Sequence, residues 1–406
     1  MPLSDAAFPR RLLIFEPDSD GHQQEWLLHL LRFAQKDNRC TPSFLVSPAL
    51  AEGLRAEAVW LSHEIRALRP RELALCRSRF LAVSGFARWF VMRRYLKRMS
   101  CDIGLFLFLD HLTLPLGLGL GLGRRRAIGI LFRPSVHYRL LGPYVPGWRE
   151  RLRDARKALL YRLMLSNRAL QAVLSLDPYF PAYAKDHYRG GRKVLPLVDP
   201  VNPNGDGGGP TASWLEAIPG RRMLFVLFGY LTERKGALTL LDALKALPYE
   251  EALRIGVLFA GRIAPEIAAE FDDRFRRLGE AQPLLWLGCE NRRLGEAEIG
   301  QLVARADIVL APYQRFVGSS GILLWAARAG KPVLTQNLGL IGRLVRDFHL
   351  GLVADVETAS GLLAAIRRVA HDGIDAFSDP ESMQRFVAER TPQRFAAAIW
   401  HAALGY

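Results

Sequence analysis

Residues 307–335 have the residue types and spacing of an anion-binding turn. The apolar run Ile308–Ala311 predicts a strand that ends at Pro312 and Tyr313, and a turn of glycines and serines then leads into the alanine-rich segment 322–329, which predicts a helix. The first N–H groups of a helix have no partner within it, and the helix dipole attracts negative charge to that end. The stretch therefore predicts a phosphate pocket at Ser319, Ser320 and Gly321. Because serine also caps ordinary helices, a plain capped helix is the alternative.

A second turn, residues 229–236, follows the apolar run Met223–Phe228 and reads GYLTERKG. It places Arg234 and Lys235 directly before residues 237–247, which predict a helix. A cation at the start of a helix, beside unpaired N–H groups, suits a diphosphate. This turn is therefore a second candidate for phosphate binding.

Two histidines and an arginine follow predicted strands in the first half of the chain. Asp110 and His111 come directly after residues 103–109, and Arg133 and His137 come after residues 127–132. Ligands of open α/β sheets bind at the carboxyl ends of the strands, which makes these side chains candidates for the reacting centre. His111 is the first candidate, and His137 and Arg133 are next. A lone histidine is more often structural, and the sequence alone assigns none of the three as a base.

Strands alternate with helices along both halves of the chain, which predicts an α/β fold. Residues 11–15 predict the first buried strand, and residues 23–35 predict a helix with Trp26 and Leu30 on its apolar face. Residues 199–211, DPVNPNGDGGGPT, offer little to bury and predict a linker. We expect two Rossmann-like domains with doubly wound parallel sheets that face a cleft. Their predicted ranges are 1–200 and 213–388, with a linker at 201–212 and a C-terminal helix at 389–406 that returns to the first domain.

The 406 residues carry a formal net charge of +15, and half of them are hydrophobic. The chain is long enough for two domains with their own cores, and its charge predicts an acidic partner. No helix-turn-helix, zinc-finger or RNP-like pattern accompanies the basic clusters, so nucleic acid is not an expected partner. A solvated basic face and attraction to an anionic membrane surface both remain open.

Two segments of the first half combine apolar and basic residues at helical spacing. Residues 80–99, FLAVSGFARWFVMRRYLKRM, are typical of an amphipathic helix on lipid headgroups, and a core-packed helix with a basic outer side is the equal alternative. In the second segment, arginines occupy the other sides of a helical row of apolar residues. That row is Trp148, Leu152, Ala155, Leu159 and Leu163.

Several cofactor and metal classes are disfavoured by the motifs. The turn after the first strand lacks the three-glycine fingerprint of NAD and FAD sites. The four cysteines form no close pair of the kind that zinc sites and redox motifs need. The first nine residues show no basic start followed by an apolar core. We therefore expect a cytoplasmic protein, located at the inner face of the cytoplasmic membrane if the basic face binds lipid.

The second domain resembles the nucleotide-sugar-binding half of family 4 glycosyltransferases, which have the two-domain GT-B fold. In that family a glycine turn followed by a lysine-glycine pair grips the donor diphosphate, and Gly229, Lys235 and Gly236 match this pattern. Tyr230 stands where the family has an arginine, and Arg234 supplies a cation beside Lys235.

A second segment that resembles the family reads VGSSGILLWAARAGKPV. Gly318 and the later Gly330-Lys331 pair match, whereas Val317 and Trp325 occupy the positions of two glutamates that bind the transferred sugar and the ribose in the family. The resemblance implies a donor-binding site, which comprises Gly229, Arg234, Lys235, Gly318, Ser319, Ser320 and Gly321.

The resemblance implies a glycosyltransferase that moves a sugar from a nucleoside-diphosphate sugar to a glycan or lipid-linked acceptor in cell-envelope or exopolysaccharide biosynthesis. It implies no metal ion, since cations and N–H groups of the protein stabilise the leaving diphosphate. The absent glutamates leave open a non-catalytic subunit that binds a nucleotide sugar or a partner enzyme. A sugar-nucleotide epimerase is a weaker alternative, because it would need carboxylates around the sugar.

Overall fold

The computed structural model describes residues 9–19, 23–57, 63–201 and 213–405. The chain divides into two compact units. One unit comprises Met1–His137, Pro146–Pro200 and Arg390–Tyr406, and the other comprises Tyr138–Val145 and Val201–Glu389. Apart from residues 199–201, the predicted linker lies outside the described residues.

A seven-stranded parallel sheet forms the centre of the first unit. Its strands are β1 (Arg10–Glu16), β2 (Cys40–Val46), β3 (Ile65–Ala67), β4 (Ile103–Phe106), β5 (Arg126–Leu131), β6 (Leu170–Ser175) and β7 (Val194–Pro196). Their order across the sheet is β3-β2-β1-β4-β5-β6-β7. The chain adds strands outward from β1 on one side and from β4 on the other. The topological switch point, where open α/β sheets bind ligands, therefore lies between β1 and β4.

Helices cover both faces of this sheet, which is why its strands are continuous apolar runs. They are α1 (Gln23–Ala34), α2 (Pro48–Glu57), α3 (Pro70–Cys76), α4 (Leu81–Arg98), α5 (Thr113–Gly117), α6 (Trp148–Ser166) and α7 (Phe180–His187). The buried residues of α4, α5 and α6 share one hydrophobic cluster, and those of α1 and α2 belong to another. Within α4, Trp89, Val91, Tyr95 and also Arg88 are buried, so one side of this helix packs into the core. Its other basic residues, Arg93, Arg94, Lys97 and Arg98, are exposed.

The second unit has a six-stranded parallel sheet ordered β10-β9-β8-β11-β12-β13. These strands are β8 (Met223–Phe228), β9 (Ile255–Ala260), β10 (Trp286–Glu290), β11 (Ile308–Ala311), β12 (Val333–Gln336) and β13 (Gly351–Ala354). Its helices are α8 (Ser213–Glu216), α9 (Ala237–Leu244), α10 (Tyr249–Ala252), α11 (Pro265–Ala281), α12 (Glu296–Arg305), α13 (Ile322–Arg328), α14 (Gly339–Asp347), α15 (Ala359–Asp372) and α16 (Pro380–Ala388). Here the switch point lies between β8 and β11.

The last helix, α17 (Pro392–Leu404), belongs to the first unit. The ring of Phe395 lies 5.0 Å from that of Trp26, and the ring of Trp400 lies 5.4 Å from that of Phe33. The side chains of Phe395 and Trp400 are fully buried. The C-terminal helix therefore completes the core on the α1 side of the first sheet.

The predicted pair of doubly wound parallel sheets is confirmed, with differences at individual elements. The predicted strand 103–109 ends at Phe106, and Asp110 and His111 lie in a 3-10 turn, Leu109–Leu112, because the Asp110 carboxylate bonds to backbone N–H groups beyond β5. The hydrophobic pattern of the sequence did not predict β3 and β13, which have three and four residues. Both are edge strands and most of their residues are only partly buried or exposed, so neither forms a fully buried apolar run.

Candidate functional site

The turn after β8 depends on glycine at two positions. Gly229 has a φ of 105°, and its N–H donates to the Ala260 carbonyl at 2.9 Å. A side chain on Gly261 would lie 2.1 Å from the carbonyl oxygen of Gly229. The two backbones therefore approach closely at the carboxyl ends of β8 and β9, as they do where a ligand contacts a glycine-lined turn.

Lys235 connects the two predicted phosphate turns. Its Nζ donates to Tyr313 Oη at 2.9 Å, and Tyr313 Oη lies 2.6 Å from Ser320 Oγ. The contact exists because β8 and β11 are neighbours in the parallel sheet, so the turns at their carboxyl ends meet at one edge. An ammonium, a phenol and a hydroxyl thus form one polar chain at the switch point. The sequence marks Tyr313 only as the end of a strand, and the signal for its role was a polar side chain directly after β11.

Arg234 and Gly236 hold the first turn against the second. The Arg234 guanidinium lies 4.8 Å from the ring centroid of Phe316, and the Arg234 carbonyl accepts the N–H of Gln314 at 2.9 Å. Gly236 has a φ of 76°, and a side chain there would lie 2.0 Å from the Pro312 carbonyl oxygen. Both cations of the ERK sequence are therefore fixed beside the segment that leads to the serine turn.

The serine turn presents N–H groups ahead of its helix. The N–H groups of Ile322 and Leu323 donate to Ser320, through Oγ at 3.4 Å and the carbonyl at 3.1 Å. The N–H groups of Ser319, Ser320 and Gly321 donate to no other residue in the described part of the chain. The free donors are therefore those of the turn rather than those of α13, and they are available to an anion.

Gly318 and Val317 pack on the start of α14. Their carbonyl groups accept the N–H groups of Ile341 at 3.1 Å and Leu340 at 2.8 Å. A side chain on Gly339 would lie 2.6 Å from Val317 Cα. Gly318 therefore positions the turn through its backbone.

Trp325, at the second glutamate position, lies in a groove between α12 and α13. The same groove is lined by Gln301, Val303 and Arg328, and the Arg328 guanidinium lies 5.5 Å from the Trp325 ring centroid. Neither Val317 nor Trp325 supplies a carboxylate to the polar chain at Lys235.

A pocket of about 450 Å³ adjoins the turn after β8. It lies at the carboxyl ends of β8, β9 and β10, and its wall includes Gly229, Tyr230, Arg262, Arg293 and Leu294. Tyr230, Arg262 and Arg293 are exposed there. An aromatic ring, two guanidinium groups and an aliphatic wall suit a planar, hydrogen-bonding group attached to an anion.

The first unit has a pocket of about 560 Å³ at its own switch point. An aromatic stack forms one wall, with the ring of Phe132 between those of Trp26 at 5.4 Å and Phe108 at 4.4 Å. The His111 ring lies 5.3 Å from that of Phe108, tilted at 54° to it. Such a wall favours a ligand with a flat apolar face.

Glu16 lies on the wall of the same pocket and was missed in the sequence. It ends β1, is buried, and its Oε1 accepts the N–H of Asp18 at 2.8 Å. Burial raises the pKa of this carboxyl group to about 8. An acidic residue that ends a buried strand, as in RLLIFE, was the signal. A carboxyl group with this pKa can exchange a proton with a bound hydroxyl group near neutral pH.

The Asp110 carboxylate brings His111 and Arg133 to this pocket. It accepts the N–H groups of Phe132 at 2.9 Å and Arg133 at 3.3 Å, which ties the turn after β4 to the end of β5. Burial lowers the pKa of His111 and favours its neutral form. The buried atoms His111 Nδ1 and Gln23 Oε1, both on the pocket wall, have no hydrogen-bond partner among the described residues.

His137, the third catalytic candidate, lies elsewhere. Its Nε2 is 2.8 Å from Asp177 Oδ2, both side chains are buried, and its ring stacks 5.2 Å from that of Tyr183. It is not among the residues that line the first unit's pocket. The structure therefore brings His111 and Arg133 together and places His137 in a buried polar pair beyond β5.

Three general features of the described residues bear on the site. No group of three or more His, Cys, Asp or Glu side chains is arranged to hold a metal ion in the described part of the chain. None of its helices is both long enough and apolar enough to span a membrane. Cys40, Cys76 and Cys101 are buried free thiols, and Cys289 is exposed.

Residues 222–372 match the family described as Glycosyl transferases group 1. The second unit therefore resembles a group 1 glycosyl transferase domain. The resemblance that the sequence showed is thereby confirmed, and the chain is a glycosyltransferase. The match covers most of the second unit and none of the first. No curated protein matches the chain in sequence.

Solved structures resemble the chain over nearly its full length. A glycosyltransferase from Rickettsia africae has 15% identity and a TM-score of 0.63, and the match covers 98% of this chain and 99% of that one. A sucrose-phosphate synthase from Thermosynechococcus elongatus has 14% identity and a TM-score of 0.67, with coverage of 97% and 98%. Anabaena HepE in complex with UDP has 15% identity and a TM-score of 0.65, with coverage of 98% and 100%. Similarity at these identities shows the fold, and the predicted GT-B fold is confirmed.

Proposed function

We propose that this glycosyltransferase moves a sugar from a nucleoside-diphosphate sugar to a hydroxyl group of a glycan or lipid-linked acceptor. The observation that carries the proposal is the Lys235–Tyr313–Ser320 chain, which unites the two phosphate-binding motifs at one sheet edge. The similarity to HepE, whose structure contains UDP, supports a nucleoside diphosphate as the ligand of this edge.

In the proposed donor site, the diphosphate binds Lys235, Arg234 and the unpaired N–H groups of Ser319, Ser320 and Gly321. These donors are fixed before the reaction, so they stabilise the negative charge that develops on the leaving diphosphate. This arrangement needs no metal ion. The pocket beside Gly229 takes the nucleoside, with Arg262 and Arg293 available for hydrogen bonds.

The proposed acceptor site is the pocket of the first unit. A sugar ring has an apolar face that packs on the Trp26–Phe132–Phe108 stack, and its hydroxyl groups match the unpaired atoms of His111 and Gln23. Glu16 is our candidate for the group that accepts the proton of the attacking hydroxyl. His111 and Arg133 then orient the acceptor.

A non-catalytic nucleotide-sugar-binding or partner-binding subunit is the second candidate. The observation that favours it is the absence of carboxylates at Val317 and Trp325, where Trp325 turns into the groove with α12. The intact cations and N–H groups of the donor turn count against a subunit that recognises only protein, because such a site has no use for them.

We also propose a place in cell-envelope or exopolysaccharide biosynthesis, in the cytoplasm and peripherally at the inner face of its membrane. The support is the net charge of +15, which favours acceptors held at an anionic surface.

The test is a thermal-shift series with UDP, GDP, ADP and their sugars. We expect at least one nucleotide to raise the unfolding temperature of the wild type, and Lys235→Ala to abolish most of that increase, since each charge-assisted phosphate contact contributes about 1.5–3 kcal/mol. Lys245→Ala is the matched control, because Lys245 pairs with Asp242 on the surface at the end of α9. If no nucleotide stabilises the wild type, the donor-site proposal fails.

An assay of sugar transfer distinguishes the glycosyltransferase from the non-catalytic subunit. With the stabilising nucleotide sugar and an acceptor extract, the enzyme releases nucleoside diphosphate, and Glu16→Gln slows this release while it keeps the thermal shift. Nucleotide binding without any release, by wild type and variant alike, would support the non-catalytic subunit.

A further inference from the structure

The outward face of α6 is apolar along its length. Trp148, Leu152, Leu159 and Leu163 are 71%, 66%, 57% and 44% exposed, and their spacing places them on one side of the helix. The opposite side, with Tyr161, Met164 and Leu165, is buried in the core. The apolar row found in the sequence therefore faces solvent, and other residues anchor the helix.

Arginines flank this row on both sides. Glu150 and Asp154 are the acidic residues of the helix, and they lie 3.8 Å and 4.0 Å from Arg153. The positive charge of the face therefore exceeds its negative charge. The exposed arginines are Arg149, Arg151, Arg153, Arg156 and Arg162.

The neighbouring helices α4 and α5 also border a surface of exposed apolar and basic side chains. Helix α5 contacts both α4 and α6, and the three bury their inner sides in one cluster. Leu118, directly after α5, and Phe90 of α4 are 64% and 52% exposed. Beyond Phe90, α4 exposes four cations, which are Arg93, Arg94, Lys97 and Arg98. We call this surface of α4, α5 and α6 the apolar-basic face.

We propose that the apolar-basic face docks onto an anionic phospholipid bilayer. A row of exposed large apolar side chains is unfavourable in water, and it becomes favourable when the row enters the boundary between headgroups and acyl chains. Arginines at the edges of the row then meet the phosphate groups of the lipids, and their charge adds to the binding. Charge complementarity selects an anionic membrane over an uncharged apolar partner.

The position of the first unit's pocket gives the docking a consequence that rests on the proposed function. Leu81, at the start of α4, and Lys157 and Leu160, on α6, lie on the pocket wall. The pocket therefore adjoins helices of the apolar-basic face. An acceptor held in the bilayer by a lipid chain reaches Glu16 and His111 without leaving the membrane surface, which assigns a lipid-linked acceptor to this pocket.

Flotation with vesicles tests the docking. The wild type should float with vesicles of mixed phosphatidylcholine and phosphatidylglycerol and remain unbound with phosphatidylcholine alone. Replacing Trp148, Leu152, Leu159 and Leu163 with serine should lower the partition coefficient roughly tenfold or more, because the apolar row supplies the insertion. Arg149→Gln with Arg156→Gln should weaken binding less and reduce its salt dependence. These side chains are exposed, so far-ultraviolet circular dichroism should show an intact fold.

A matched control lies in the second unit. Tyr249 and Leu253 are also exposed, but their neighbours include Glu250 and Glu251, and serine at both positions should leave flotation unchanged. Wild-type protein that ignores anionic vesicles, or a serine variant that floats like the wild type, would overturn the proposal. So would a wild-type dimer that the serine variant dissociates, or binding of duplex DNA, in the absence of vesicle binding. None of these outcomes affects the nucleotide thermal shift, so the donor-site proposal is tested separately.

Discussion

At the residue scale, the structure changes which side chains carry the proposed chemistry. The sequence selects Lys235 and Ser320 from separate motifs, and the structure adds Tyr313 as the hydroxyl group that joins them. It also adds Glu16 to the pocket that holds His111 and Arg133. His137, by contrast, is hydrogen-bonded to Asp177. Side-chain partners depend on which strand ends meet, and spacing along the chain does not contain that information.

The raised pKa of Glu16 predicts a pH dependence of stability. The pKa is about 8 in the folded protein and near 4.5 when unfolded, so between these values the folded state holds a proton that the unfolded chain has lost. The free energy of unfolding should therefore fall as pH rises from about 4.5 to about 8, by roughly 1.4 kcal/mol for each unit of pKa difference.

Glu16→Gln should remove this slope, because glutamine does not titrate. Urea unfolding at several pH values measures the difference between variant and wild type, and we expect the variant to gain stability relative to the wild type as pH rises. Glu52→Gln, on the exposed side of α2, is the control. Parallel pH profiles of wild type and Glu16→Gln would contradict the assignment.

At the element scale, the donor turn depends on backbone approach as well as charge. The β8 turn and the β11 turn touch through Gly236, whose missing side chain leaves room for the Pro312 carbonyl. The sequence marks Gly236 by its place after Lys235, and only the packed structure shows the contact that requires it.

Gly236→Ala should both destabilise the second unit and weaken nucleotide binding. Its φ of 76° strains any side chain, and the new Cβ would lie 2.0 Å from the Pro312 oxygen, so the turn must move. We expect a loss of about 2–4 kcal/mol in unfolding free energy. Gly330→Ala is the matched control, since its φ is 66° with nothing near the added Cβ, and it should cost about 1 kcal/mol. Equal effects of the two substitutions would show that the contact with Pro312 is unimportant.

At the scale of the whole molecule, the two compact units have separate hydrophobic clusters. The first unit is completed by α17, which is distant in sequence, and the second unit contains the whole donor turn. Stability of one unit and ligand binding by the other are therefore expected to respond to different substitutions.

Trp400→Ala tests this independence. Trp400 is fully buried, and its loss from the first unit's core should cost about 3–5 kcal/mol. Thermal unfolding followed by calorimetry should show a lower transition for the first unit, while the nucleotide still raises the transition of the second. Loss of the nucleotide effect in this variant would mean that the units do not respond separately.

The sequence by itself determined the alternation of strands and helices, the second unit's family and the two glycine turns with their cations. These features are local: buried strands read as apolar runs, and the turns need particular residues at particular positions. The tertiary structure decided which side chains meet, because that depends on which strands are neighbours in the sheet. It joined Lys235 to Ser320 through Tyr313, placed Glu16 on the wall of the pocket that contains His111, and turned the apolar row of α6 toward solvent. Helical spacing shows that a row exists, but its direction depends on which other side of the helix fills the core.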